Sequence, residues 1–211
     1  MSKYQLSQSS IYIDGTSVPK NKLNSSDAKF IATIEKKLLL NAYDKYSEEL
    51  NSKTILNETY FINLHKKTFE ALYDFAGIYR DVNMSKGESQ FCLAQYLHTE
   101  SKRIFDALEK ERYLHDIASD KITFAKKLAY YQGELIALHP FYELNGRITR
   151  LYCDMLALHN GYKPIDYSGA IEDGAYIDAS VACVQYADST LLEKIIFDGL
   201  KTIANTQGKQ K

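Results

Sequence analysis

The chain has 211 residues, enough for one domain with a sizeable core. Its 26 Lys and Arg residues almost cancel 27 Asp and Glu, leaving a net charge of −1 that excludes a general nucleic-acid-binding surface. No apolar run approaches membrane length and the start Met1-Ser2-Lys3-Tyr4-Gln5 has no signal-peptide core, so a cytoplasmic protein without a membrane partner is expected.

Residues 1–25 are polar and turn-rich and form an arm ahead of a helical core, assigned to 26–205. A helix is predicted from Ala28 to Glu49, capped by Ser26 or Asp27, with Phe30, Ile34, Leu38, Leu39 and Tyr43 on one face. From Tyr60 to Tyr79, the residues Phe61, Leu64, His65, Phe69, Leu72 and Phe75 recur at helical spacing. Short extended runs then flank Lys86-Gly87, a turn signal that predicts a small hairpin within Asn83 to Cys92. Helices follow near 94–110, 121–138 and 147–160, and two more at about 176–186 and 190–204 close the bundle. The polar tail, 206–211, is expected to fray. Cys92, Cys153 and Cys183 are odd in number and lack metal spacing, which fits free thiols in a reducing compartment. The five histidines show no ligand pairing, so no zinc site is expected. Seventeen tyrosines without a single tryptophan suit either a polar cleft or half-buried helix faces.

The run from His139 to Arg150, His-Pro-Phe-Tyr-Glu-Leu-Asn-Gly-Arg-Ile-Thr-Arg, carries the chemistry. Pro140 pushes His139 out of the helical region and ends the preceding helix. A second helix begins near Asn145 or Gly146, where free first-turn amides and the helix dipole make a seat for an anion. Gly146 lets the backbone approach a phosphate closely. Arg147 and Arg150, three apart, are placed to present paired donors to phosphate oxygens. Glu143 stands just before these amides with no salt partner in sequence. A hard cation such as Mg²⁺, shared with the phosphates, accounts for it. His139 is the proton acceptor of the set.

This run resembles the signature of the Fic family, His-x-Phe-x-(Asp/Glu)-Gly-Asn-Gly-Arg-x-x-Arg. It departs at Leu144, where the family has glycine. If that position needs positive φ, leucine costs about 1–2 kcal/mol. If φ is negative, nothing is lost. Leu144 is read as a variant, not a dead site. Ala76-Gly77 with Arg80-Asp81-Val82, and the hairpin after it, are similar to the family's approach to its flap. The stretch Tyr162 and Asp166-Tyr167 is similar to its adenine-lining region. The resemblance implies an all-α, Fic-type bundle with a small β-hairpin flap. It implies transfer of AMP from ATP to a Ser, Thr or Tyr hydroxyl of a target protein, with Mg²⁺. His139 is then the base and Glu143 the metal ligand. Lys86, Gly87, Leu144, Asn145, Gly146, Arg147 and Arg150 would hold the nucleotide and its phosphates, Asn145 either by direct bonds or by holding the loop. The target would dock on the flap, Ser85 to Cys92, as an added strand.

Many members of the family are restrained by a helix with Ser/Thr-x-x-x-Glu-(Gly/Asn), whose glutamate pairs with the second arginine. Ser10 and Asp14, followed by Gly15, resemble it with Asp for Glu and predict self-inhibition by the arm. Ser168 with Glu172 and Ser189 with Glu193 fit the spacing too. Without such a helix, a separate antitoxin is the expected restraint. Transfer of another nucleotidyl or phosphoryl group stays open, as does a toxin-like nucleotide-binding regulator without transfer. Labelled ATP separates them.

Overall fold

A computed structural model describes residues 4–6 and 11–203; Ser10 and the tail at 206–211 lie outside the described residues. In chain order the elements are β1 (Gln5–Leu6), α1 (Ala28–Glu49), α2 (Glu58–Phe69), β2 (Met84–Lys86), β3 (Ser89–Gln90), α3 (Leu97–Lys110), α4 (Lys121–Leu138), α5 (Asn145–His159), α6 (Ser168–Glu172), α7 (Ala175–Tyr186) and α8 (Thr190–Gly199). The fold is the expected helical bundle with a small β flap. Side-chain caps start the main helices: Asp27 accepts the amides of Lys29 and Phe30, Asn57 that of Tyr60, and Asp120 those of Ile122 and Thr123. No helix of the described residues is long and apolar enough to cross a membrane.

α4 is the centre. It is apolar on nearly every side, burying Phe124, Leu128, Tyr131, Leu135 and Leu138 among others, and it packs against α3, α5, α7 and α8. α5 lies beside it with Ile148, Leu151, Tyr152, Met155 and Leu156 fully buried. The tyrosines serve as buried or half-buried struts. Tyr43 donates to Asp154 (2.7 Å), Tyr73 to Glu35 (2.5 Å), Tyr167 to Gln132 (2.8 Å) and Tyr142 to Asp81 (2.6 Å). Cys153 and Cys183 are buried, Cys92 is half-buried, and all three are free thiols.

Several expectations need correction. On α1 the predicted residues Ile34, Leu38, Leu39 and Tyr43 pack half-buried against the core, beside the buried Ile31, Glu35, Ala42 and Tyr46, but Phe30 is exposed. The periodic run after Tyr60 stops being a helix at Phe69, where the amides of Leu72 and Tyr73 turn back onto the Phe69 carbonyl. Gly77 makes that return possible. Its φ is +75°, and a Cβ there would lie 2.5 Å from Cβ of Lys66. α8 ends at Gly199, not near 204, because the chain pairs back toward the end of α5 through a bridge of Thr202 with Tyr162. The short α6 was not anticipated, nor was the 3-10 stretch Arg112–Ile117.

The flap also has one strand more than predicted. The β2–β3 hairpin turns at Gly87, whose φ of +58° suits the first position of a two-residue hairpin turn. The third strand is the arm: β1 lies antiparallel on β2, Gln5 opposite Ser85 and Leu6 opposite Met84, giving the order β1-β2-β3.

Candidate active site

α4 delivers His139 and α5 begins six residues beyond it, so the loop between them sits where a helix C-terminus meets a helix N-terminus. His139 leaves α4 in the left-handed conformation (φ 46°), not the extended one that a following proline favours; its amide still bonds Leu135 O. Arg80, itself buried, supports this corner. Its Nε donates to His139 O (2.9 Å) and its other nitrogens to Val82 O, Cys92 O and Leu138 O, so one guanidinium caps the end of α4 and holds the base of the flap.

The imidazole of His139 is only 6% exposed. Its Nδ1 lies 3.2 Å from Ile136 O, and a carbonyl can only accept, so the ring proton is on Nδ1. Nε2 is therefore the lone-pair nitrogen, buried and without a hydrogen-bond partner among the described residues. Phe91 stacks on one face of the ring at 3.8 Å between centroids, and Tyr4 meets it edge-on at 5.0 Å. Burial pushes the pKa of His139 down to about 3, so the ring is a neutral base.

The loop is held from within. Asn145 accepts from Phe141 N (2.8 Å) and donates to Phe141 O (2.7 Å), which engages both ends of its amide. These bonds supply the loop-holding contact, one of the two roles open to Asn145. Phe141 is buried and stacks on His65 at 3.9 Å. His65 accepts from Gly77 N at Nδ1 (2.9 Å), and its Nε2 lies 3.1 Å from Glu143 O. One acceptor and one donor nitrogen require the neutral ring, in keeping with a pKa lowered to about 4 by burial. His65 thus ties α2 and the Gly77 turn to the backbone of the acidic residue.

Leu144 starts α5 with φ 67°, the strained alternative of the two considered; its side chain is buried in the core. Its carbonyl accepts from Arg147 N and Ile148 N, both at 3.1 Å, while the amides of Asn145 and Gly146 bond no carbonyl among the described residues. Gly146 has open space above it: a Cβ there would meet only Arg150 Nη1, at 3.9 Å. The fold does not need a glycine at 146, so the room is available to a ligand. The two arginines have different partners in the structure. Arg147 Nη1 bonds Glu35 Oε2 on α1 at 2.8 Å, and Arg150 lies over the Tyr176 ring of α7 at 5.0 Å. Glu143 accepts from Tyr12 of the arm at 2.6 Å.

Lys86, exposed on β2, sits 5.5 Å above the Tyr4 ring, and Gly87 serves the hairpin turn. Asp14 is exposed in a turn. The segment around it is a small hairpin closed by the Tyr12–Pro19 bridge, not a helical turn, and no ion pair joins Asp14 to Arg150 among the described residues. Tyr162 is in the core, stacked on Phe124, and Tyr167 is buried against Gln132. Tyr4, Tyr12, Glu35, Phe91 and Tyr176 were not singled out from sequence, since nothing local marks a residue that reaches the site from a distant element.

Among the described residues no group of three or more His, Cys, Asp or Glu side chains could hold a metal ion. The Glu143 carboxylate at the mouth of α5 is a hard oxygen donor of the kind that would hold a divalent cation shared with phosphates.

Residues 55–157, from the approach to α2 through nearly all of α5, match the family model described as the Fic/DOC family. A protein of Sinorhizobium fredii named "Probable protein adenylyltransferase" is 29% identical over 181 residues, covering 86% of this chain and 91% of that protein. An Escherichia coli protein named "Probable protein adenylyltransferase Fic" is 32% identical over 132 residues, 63% of this chain and 64% of that one. The crystal structure of BepC from Bartonella tribocorum, with bound AMPPNP, superposes with a TM-score of 0.79 over 92% of this chain and 97% of that one, at 20% identity. At that identity the likeness concerns the fold.

Proposed function

On the premise that the chain belongs to the Fic/DOC family, we propose that it is a protein adenylyltransferase, moving AMP from ATP to a hydroxyl of a target protein, and that His139 is its base. The observation that carries this is the buried lone pair of His139 Nε2, held in the neutral tautomer beside the start of α5. Nε2 takes the proton of the target hydroxyl as its oxygen attacks the α-phosphorus; the bond to the bridging oxygen breaks and pyrophosphate leaves. The amides of Asn145 and Gly146, with Arg147 and Arg150, receive the negative charge of the phosphate chain. Glu143 would hold Mg²⁺, which when bound neutralises charge on the phosphates. Asn145 and His65 position the loop without touching substrate. The target strand is assigned to the outer edge of β2, and the free thiols fit a cytoplasmic setting.

The test is intact-mass analysis after incubation with Mg²⁺ and each nucleoside triphosphate, with α- and γ-labelled ATP in parallel. A gain of one nucleoside monophosphate, lost about 10²–10⁴-fold in His139→Ala, is the expected result. Transfer of the γ-label would mean kinase chemistry instead, and normal labelling by His139→Ala would remove His139 from the base role.

A further inference from the structure

The flap has one edge to offer a target strand, and the chain itself is on it. β3 faces α7, where Gln185 Nε2 donates to Ser89 Oγ at 3.3 Å, so strand addition is confined to the outer side of β2. β1 occupies that side, with Gln5 opposite Ser85 and Leu6 opposite Met84. The residue before it, Tyr4, closes over His139 and is itself covered by Lys86. Its phenol feels both Glu143 and Arg147, and burial raises its pKa above the ordinary tyrosine range. Further along the arm Tyr12 donates to Glu143 Oε1 at 2.6 Å, on the carboxylate assigned to the metal.

The two ends of the arm differ in how firmly they are held. At the root Val18 is buried in the core and Lys22 N bonds Leu72 O (2.9 Å). Among the described residues the tip is held by a two-residue strand pairing and by the Tyr4 and Tyr12 side chains, contacts that a longer strand can replace.

We propose that the N-terminal arm is a tethered competitor for both halves of the site: β1 takes the edge that a target strand needs, and Tyr12 takes the Glu143 carboxylate that a metal–phosphate group needs. This rests on the adenylyltransferase reading only for the identity of what is displaced. It differs from an acid-on-arginine restraint, since Asp14 is exposed and Arg150 lies against Tyr176. A target with a better strand for β2 displaces the tip and uncovers His139 in the same movement.

The test reads access to His139, which needs no turnover. Full-length protein, a variant lacking residues 1–10, and Tyr12→Phe are treated with diethylpyrocarbonate, and modification is resolved by peptide mass spectrometry. Removing 1–10 spares Val18 and the Tyr12–Pro19 hairpin that root the arm. His139 should react about tenfold faster or more in the truncated chain. A synthetic peptide of residues 1–10 added in trans should restore protection, and a scrambled peptide should not. In calorimetry Tyr12→Phe should bind Mg·ATP about tenfold more tightly, the loss of one hydrogen bond to a carboxylate. Equal His139 reactivity with and without residues 1–10 would overturn the proposal, as would unchanged Mg·ATP affinity in Tyr12→Phe. If His139 is uncovered and affinity rises but no variant ever transfers a nucleotide, the competitor stands and the transferase reading falls.

Discussion

Leu144 allows one energy to be isolated at a single position. It sits at φ 67° at the head of α5 with its side chain 6% exposed. Two effects oppose each other there. Left-handed backbone costs a residue with a Cβ about 1–2 kcal/mol, which glycine avoids. Removing a buried leucine side chain costs about 2–5 kcal/mol in lost burial and cavity. Alanine at 144 keeps the strain and loses the packing, so it should be less stable than wild type by about 3 kcal/mol. Glycine loses the packing but relieves the strain. It gives back part of that relief through greater freedom of the unfolded chain, and should lie about 1 kcal/mol above alanine and about 2 kcal/mol below wild type. Urea titrations of the three proteins, compared at constant m, give the order Leu, Gly, Ala. Alanine as stable as glycine would show that the backbone is not strained at 144. Either variant exceeding wild type would show that the buried side chain contributes nothing. Since glycine preserves the direction of the following amides, its ATP affinity should change by less than about threefold.

Three further outcomes can be measured. Asn145→Ala leaves both Phe141 N–H and C=O buried without their partner, so stability should fall by about 2–4 kcal/mol, while Asn145→Asp keeps only the bond from Phe141 N and should fall between. Gly77→Ala meets both a positive φ and Lys66 Cβ at 2.5 Å; a loss of more than about 2 kcal/mol is expected, read as a fall in Tm of about 5 °C or more, and a neutral outcome would mean the turn moves freely. In acid, native His65 and His139 stay neutral to about 4 and 3 while the unfolded chain takes up their protons from about pH 6.5 downward, so both withdraw stability as pH falls; Asp154, raised to about 6 by burial, takes its proton first in the native state and acts in the opposite sense. Between pH 6 and 4 His139→Gln should therefore lose stability less steeply than wild type by about 1.4 kcal/mol per pH unit, and identical slopes would mean that His139 is not protected from protonation.

Where a helix is announced by local chemistry, its place was legible from sequence. Asp27 and Asp120 cap α1 and α4 where a cap was or could be read, and α4 runs from Lys121 to Leu138 as its apolar spacing demands. The same holds for the catalytic run: a proline after His139, a glycine at 146 and two arginines in one helical turn are adjacent in sequence, so their proximity needs no folding to be known. Spacing could not say which way those side chains turn. Arg147 and Arg150 share a helix turn, yet Glu35 on α1 takes one and Tyr176 on α7 the other, because guanidiniums settle on the partners that neighbouring helices bring. The run after Tyr60 kept a helical period while the backbone left the helix, since Leu72 and Phe75 reach the same core from a loop and periodicity records burial, not dihedrals. The arm was the least legible segment. Its polar, turn-rich composition says only that it has no core of its own. Tyr4 against His139, β1 against β2 and Tyr12 against Glu143 are contacts across 78 to 135 residues of sequence, and such contacts exist only once the bundle has fixed the surface the arm lies on.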